Sequence, residues 1–381
     1  MNPPRVVVSS SGVFHAYHLA RAAQSAGYLH RFITSIFSRR ESGLDMQRVV
    51  QLRSPAVLAS ALRLVPGNRA RLYSYLAGDS LFDRLSERHV QDADIFNVFN
   101  NFGVQALQTA ERGGAITVVE RSSAHPVAQS EILATEYEKF QLEFASGDRR
   151  LIDRQLAEYE LADYICVPSD FVWRTMAEQG VPEQKLRRVH LGFGPGLFGP
   201  GTKDDDVFRV VYAGIQSVRK GTYYLLRAFQ ELNLPNAELV LIGEPWPELR
   251  SVLKDFDGTY RAVPYVSQPD LAKWFQRSSV FVMPSIEDGF GMVVYEAAAC
   301  GLPVIWTRNV GAALRDSKDG FEIPIADAHA LAEKILLLYE NEVQRREMGQ
   351  SAQQYVQQFT WQNYHREVIA HYDSMLAARR N

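Results

Sequence analysis

Apolar residues in this chain fall into short unbroken runs separated by longer stretches with helical spacing. Arg5 to Ser9 is a valine-rich run with no alternation, as expected for a parallel strand buried on both faces. A small-residue turn, Ser9-Ser10-Ser11-Gly12, leads into a helical pattern from Val13 to Ala26 that Gly27 closes. Further strands are predicted over Asp94–Phe99, Ala115–Glu120 and Tyr164–Pro168, with helices near Val104–Arg112 and Ala128–Phe144. Strand, small turn and helix in repetition is the signature of a doubly wound α/β domain.

The texture changes at Gly192-Phe193-Gly194-Pro195-Gly196-Leu197-Phe198-Gly199-Pro200-Gly201, which suits neither a helix nor a central strand. The pattern then restarts. It predicts strands Phe208–Ala213, Glu238–Ile242 and Val280–Met283, and helices Gly221–Leu232, Gln268–Arg277 and one beginning near Met292. Two facing α/β domains follow: residues 1–195, a linker at 196–205, and residues 206–359, with a closing helix at 360–381 returning to the first domain. A ligand belongs in the cleft, near the carboxyl ends of the strands.

With 381 residues the chain exceeds one ordinary core, and 46% hydrophobic against 22% charged residues excludes disorder. A net charge of -3 gives no reason to expect nucleic acid as a partner. Cys166 and Cys300 are too few for a disulfide framework or a zinc cluster, which suits a reducing cytoplasm. No signal-peptide core or membrane-length apolar run is visible, so any membrane contact is expected to be peripheral, on the inner face.

The strongest chemistry lies after strand Val280–Met283. Asp288 and Glu296 bracket Gly289-Phe290-Gly291, and the helix starts at Met292. Such glycines permit close backbone approach and positive φ. The N–H groups of Met292, Val293 and Val294 are expected to face a phosphate. Glu296, one turn in, is placed to accept both hydroxyls of a ribose, and Asp288 to hold hydroxyls of a transferred sugar. Gly214-Ile215-Gln216-Ser217-Val218-Arg219-Lys220-Gly221 follows the first strand of the second domain. Its glycine turn and paired cations suit a diphosphate, whose developing charge they would stabilise. The run Asp204-Asp205-Asp206 is expected to be solvated linker and not a metal site.

These segments, with Leu225-Leu226-Arg227-Ala228-Phe229 and Ala297-Ala298-Ala299-Cys300-Gly301-Leu302-Pro303-Val304-Ile305, resemble glycosyltransferase family 4. The resemblance implies the GT-B fold, two facing Rossmann-like domains with a deep cleft. It also implies a retaining, metal-independent transfer from a nucleotide sugar, with no cofactor beyond that co-substrate. It places His125 at the donor sugar, Gly12 facing the diphosphate from the first domain, and Tyr265 and Val266 beside the nucleobase, uridine or guanosine. The family usually has glutamate where Asp288 stands, and Glu287 is the available substitute. It usually has arginine where Ile215 stands, and Arg219 is expected to supply that cation.

For the acceptor, a glycan, a lipid-linked group or a small molecule, the sequence offers one cue. Arg31, Arg39, Arg40, Arg48, Arg53, Arg63, Arg69 and Arg71 face only Glu41 and Asp45, with apolar positions such as Val57 and Leu62 among them. A basic, partly amphipathic region of this kind suits an anionic membrane surface, at about 1 kcal/mol per basic residue. Polysaccharide or glycoconjugate synthesis at the cell surface is the expected setting. A nucleotide-sugar epimerase of the same shape and a non-catalytic sugar-nucleotide sensor share the phosphate and ribose contacts and stay open.

Overall fold

The computed structural model describes residues 3–64, 70–142, 144 and 147–380, and the side chains of Arg40, Glu41, Arg71 and Arg380 lie outside the description. Among the described residues thirteen strands form two parallel sheets. The first contains β1 (Val6–Ser10), β2 (Leu29–Thr34), β3 (Val49–Gln51), β4 (Ile95–Phe99), β5 (Ile116–Glu120), β6 (Tyr164–Val167) and β7 (Leu186–Arg188), in the order β3-β2-β1-β4-β5-β6-β7. The second contains β8 (Phe208–Ala213), β9 (Ala237–Ile242), β10 (Arg261–Val263), β11 (Val280–Met283), β12 (Val304–Thr307) and β13 (Gly320–Ile323), in the order β10-β9-β8-β11-β12-β13.

Every residue of β1, β4, β5, β8 and β11 is buried, which is why these strands read as unbroken apolar runs. In each sheet the order reverses beside the first strand, between β1 and β4 and between β8 and β11. Those reversals open crevices at the carboxyl ends of the strands, and the loops that leave them carry the candidate chemistry.

The glycine-rich stretch does more than connect. Phe193 N donates to Phe359 O and Trp361 N to Phe193 O, so the two crossings between the halves run side by side. A Cβ on Gly192 would stand 2.4 Å from the Thr360 carbonyl carbon and the Trp361 nitrogen, so only glycine admits this contact. Asp204, Asp205 and Asp206 are exposed; Asp205 pairs with Arg209 at 3.0 Å.

The final helix, Trp361–Arg380, lies on the helix Ala16–Ser25 of the first half. His18 stacks on Trp361 with ring centroids 3.5 Å apart, Tyr28 donates to Asp373, and Asn97 donates to Tyr372. No helix among the described residues is long and apolar enough to cross a membrane.

Burial, reinforced by Arg21, His365 and His15, pulls His18 down to about 3. The unfolded histidine takes a proton below about 6.5 while the folded one does not, so this stability is present above pH 6.5 and is lost as pH falls toward 3. The expected contribution is on the order of 2 kcal/mol. Thermal unfolding at pH 7 and pH 5 should show a falling Tm, with a shallower fall in His18→Phe, which keeps the stack and removes the titration. Equal slopes in both proteins would assign the acid sensitivity elsewhere.

Candidate active site

Two loops leave the switch point of the second sheet, 214–221 after β8 and 284–291 after β11. They are stitched together: Ile286 N donates to Arg219 O at 2.9 Å, and a Cβ on Gly221, held at φ 63°, would fall 1.9 Å from Pro284 O. The stitching brings four charges into one cluster. Arg219 Nε donates to Glu287 Oε2 at 2.7 Å and its Nη2 lies 3.9 Å from Asp288; Lys220 pairs with Asp288.

The adjacent acids point in different directions. Glu287 is fully buried, and its oxygens also accept from Ala124 N and Gln129 Nε2, each at 2.9 Å, across the cleft in the first half. Burial opposes its charge, but Arg219 and the donors outweigh burial and hold the carboxyl below its ordinary value. Arg219 and Gln129 both donate to Oε2 and Ala124 N to Oε1, so the Glu287 carboxyl is committed to joining the halves while Asp288 lines the cavity. Burial draws Lys220 below its usual value despite Asp288 beside it.

Gly214, Lys220, Tyr265, Val266, Asp288, Phe290, Gly291, Met292, Val293 and Glu296 line one cavity of about 630 Å³. Glu296 has no ion-pair partner among the described residues, and burial pushes its carboxyl up to about 7. Ala297, Ala298 and Ala299 are fully buried behind it, which turns Glu296 toward the cavity. Tyr265 is 82% exposed at the rim.

Arg219 and Gly12 instead line a neighbouring cavity of about 490 Å³ between the halves, with Ser11, Arg121, Ser123, Gln129 and Trp246. The two cations thus serve two cavities, Lys220 the first and Arg219 the second.

Three expectations need correction. The ring of His125 is not in either cavity. It caps the helix Pro126–Lys139 by accepting from Val127 N, and it sits in a separate hollow with Tyr159 and Lys185. Burial and then Arg121 lower it to about 4, so it is neutral. Gly289 and Gly291 do not have positive φ. Gly289 is required by packing between the halves: a Cβ there would lie 2.1 Å from Ser122 O, and its carbonyl accepts from Ser169 Oγ at 2.7 Å. Of the helix-start N–H groups, Met292 donates to Phe290 O and Val294 to Gly291 O, leaving Val293 and the helix dipole to face an anion.

Sequence reasoning passed over Gly243, Gln129 and the bridging role of Glu287, and gave Gln216 and Arg121 no role of their own in the site. Gly243 ends β9 as Gly214 ends β8, and a Cβ on it would meet Gly214 O at 2.3 Å; Gln216 Nε2 donates to the Gly243 carbonyl. That parallel position was the available signal. Gly289→Ala should lower stability by about 2 kcal/mol through overpacking against the first half. Thermal unfolding gives the loss, and small-angle scattering should show a larger radius of gyration. An unchanged Tm and radius would mean the halves do not meet at this point in solution.

The family model for glycosyl transferases group 1 matches residues 207–341. A D-inositol 3-phosphate glycosyltransferase of Arthrobacter sp. (strain FB24) is 33% identical over 188 residues, covering 44% of this chain and 44% of that protein. A second, from Pseudarthrobacter chlorophenolicus, is 31% identical over 214 residues, covering 51% of this chain and 48% of the relative. The chain spans about half the length of the curated relatives it matches. Among solved structures, sucrose-phosphate synthase of Thermosynechococcus elongatus superposes with a TM-score of 0.75 at 19% identity, covering 98% of this chain and 100% of that one. The HepE protein of Anabaena in complex with UDP gives 0.70 at 14% identity, covering 98% and 100%. At these identities the structures establish the fold alone, two Rossmann-like halves in the GT-B arrangement. Residues 207–341 are thus similar to the group 1 glycosyl transferases, and the chain as a whole carries the GT-B fold.

Proposed function

We propose that the protein is a retaining, metal-independent hexosyltransferase that moves a hexose from a UDP- or GDP-linked donor to an acceptor hydroxyl on a glycan, a lipid-linked group or a small molecule. The second half takes the donor and the first half the acceptor. The observation that carries this reading is the Lys220–Asp288 pair in the wall of a cavity that also holds Glu296 and Tyr265. Both charges are held in place before a ligand arrives, so little reorganisation is needed when charge develops.

In the proposed mechanism Glu296 accepts the ribose hydroxyls and Tyr265 and Val266 border the base. Lys220 neutralises the diphosphate, with Arg219 at its flank and the Val293 N–H at the helix start. These positive groups serve where a metal ion would otherwise. Asp288, held beside Lys220, accepts from hydroxyls of the hexose. The acceptor hydroxyl attacks from the face that the nucleoside diphosphate leaves, and a donor phosphate oxygen takes its proton, so configuration is kept. The UDP and the UDP-glucose held by the Anabaena HepE protein favour a nucleotide-sugar donor.

Incubation with radiolabelled UDP- and GDP-sugars, followed by NMR of the product anomer, tests the reading directly. Hydrolysis or transfer with retention supports it; isomerisation of the donor would indicate an epimerase, and binding without turnover a sensor. Lys220→Ala and Arg219→Ala should each lower kcat/KM by about 100-fold, since each removes a charge facing the departing diphosphate. Near-wild-type turnover in Arg219→Ala would assign that residue to the Glu287 bridge alone.

Hydroxyls donating to Glu296 favour its charged form, while the empty site holds it half-protonated near pH 7. Affinity for UDP or GDP should therefore rise between pH 6 and pH 8, measured by calorimetry, and Glu296→Gln should abolish the rise. A pH-independent affinity in the parent protein would remove Glu296 from the ribose site.

We also propose peripheral contact with anionic membrane through the region 31–71, in the synthesis of a cell-surface polysaccharide or glycoconjugate. Support comes from the helix Arg53–Arg63, where Pro55 is the buried residue and Val57 is 66% exposed, with Leu64 beyond it at 85%. Against this, Arg31 and Arg48 donate to backbone carbonyls of His89 and Leu29, and Arg69 and the side chains of Arg40 and Arg71 lie outside the described residues. Flotation with anionic and neutral liposomes at low salt decides the point; absence of binding to anionic vesicles ends the proposal.

A further inference from the structure

Arg121 follows β5 as a buried cation with no ion-pair partner among the described residues. Neutral oxygens alone hold its guanidinium: the carbonyls of Ser123 and Ala124, and the side chains of Asn100, Gln155 and Gln129 at 3.0, 2.8 and 3.0 Å. Across the cleft stands the buried anion Glu287. The Gln129 amide joins the two, its Oε1 accepting from Arg121 Nη2 at 3.0 Å and its Nε2 donating to Glu287 Oε2 at 2.9 Å. A guanidinium calls for an acceptor and a carboxylate for a donor, and a carboxamide meets both demands at once. Both bonds are charge-assisted and polarise the amide in the same sense.

This line of contacts runs on to the cation of the second half. The Glu287 oxygen that accepts from Gln129 also accepts from Arg219 Nε at 2.7 Å, so amide and guanidinium are fixed against one atom. Arg219 makes that contact through its Nε. Its Nη groups make no hydrogen bond among the described residues, and the side chain, 30% exposed, lines the cavity between the halves. Rotation of the Glu287 carboxylate would therefore swing Arg219 with it.

The helix Pro126–Lys139, which carries Gln129, is docked on the second half at its other end as well. Tyr137 Oη donates to Glu248 at 2.8 Å, Tyr224 Oη to Glu136 at 2.5 Å, and Lys139 Nζ to Tyr224 Oη at 2.6 Å. With these contacts and the Ala124 N–H on Glu287 in place, loss of the Gln129 amide leaves the halves joined. Its effect falls on where Arg219 points.

We infer that Gln129 is a positioning residue for the transfer: through Glu287 it sets the direction of the Arg219 Nη groups, so the first half aims a cation of the second at the departing diphosphate. The inference rests on the glycosyl-transfer reading, in which Arg219 flanks that group, and adds the residue that holds it there.

Calorimetric binding of UDP and GDP tests this without turnover, because the free diphosphate carries the charge that develops as the sugar leaves. Gln129→Leu, similar in size but without the amide, should weaken whichever nucleotide the parent protein binds by about 10-fold. Arg219→Ala should weaken it to a similar degree, and adding Gln129→Leu to Arg219→Ala should cost no more than about twofold further, since both remove one effect. In turnover Gln129→Leu should lower kcat by about 10-fold and spare the donor KM, because the sugar-linked diphosphate carries less charge. Gln129→Asn keeps the amide but is one methylene short of spanning both partners; it should show the same pattern more weakly, and it carries the test if the leucine variant does not fold. Losses that multiply in the double variant, or unchanged nucleotide affinity in both Gln129 variants, overturn the inference. A parent protein that binds UDP or GDP yet turns over no donor counts against the transferase reading, while the double-variant comparison still decides the role of Gln129. A parent protein that binds neither nucleotide overturns both.

Discussion

Glu287 has no exposure to water, and the carboxyl of its neighbour Asp288 is almost as deeply enclosed. Two adjacent acids at the floor of a cleft would repel one another and suffer a heavy desolvation cost if left alone. Arg219 and Lys220 remove that penalty by pairing with one acid each, and the amide of Ala124 and the side chain of Gln129 complete the shell of Glu287 from the opposite half. The same contacts hold the loops after β8 and β11 in register and draw the first half down onto them. Losing one partner from such a cluster leaves an uncompensated buried charge, typically at a cost of about 3–5 kcal/mol. The geometry of the cleft depends on this balance.

Division of labour follows from it. Because Glu287 is committed to joining the halves, Asp288 is the acid that remains in the cavity wall, with Lys220 beside it. Because Arg219 is shared between Glu287 and the neighbouring cavity, Lys220 is the cation nearest the donor pocket. Glu296 lies outside the cluster, with no opposing charge, which is why burial alone lifts its carboxyl toward neutrality. Structural and chemical demands are thus met by sequence neighbours that face opposite ways.

Much of this was legible in the chain. Unbroken apolar runs mark strands that are buried on both faces, so β8 and β11 and the start of the helix at Met292 fall where the pattern puts them. Gly214 and the Arg219-Lys220 pair follow a strand end, and Asp288 and Glu296 flank a helix start, and those positions alone place them at a switch point. A histidine after a strand reads the same whether it faces the cleft or caps the next helix, and His125 caps the helix Pro126–Lys139.

The sequence by itself determined which backbone segments become strands and helices, since burial and hydrogen bonding repeat at short range and leave a period in the chain. Tertiary structure alone decided where loop side chains point. Whether Glu287 or Asp288 enters the cavity, why position 289 must be glycine, and whether Arg219 meets a ligand or an acid all depend on atoms more than 60 residues away along the chain: Ala124, Ser122 and the loop after β11. No short-range pattern records those distances. A loop lacks a repeating period, so its side-chain directions are set by long-range contacts that exist only once both halves have folded against each other.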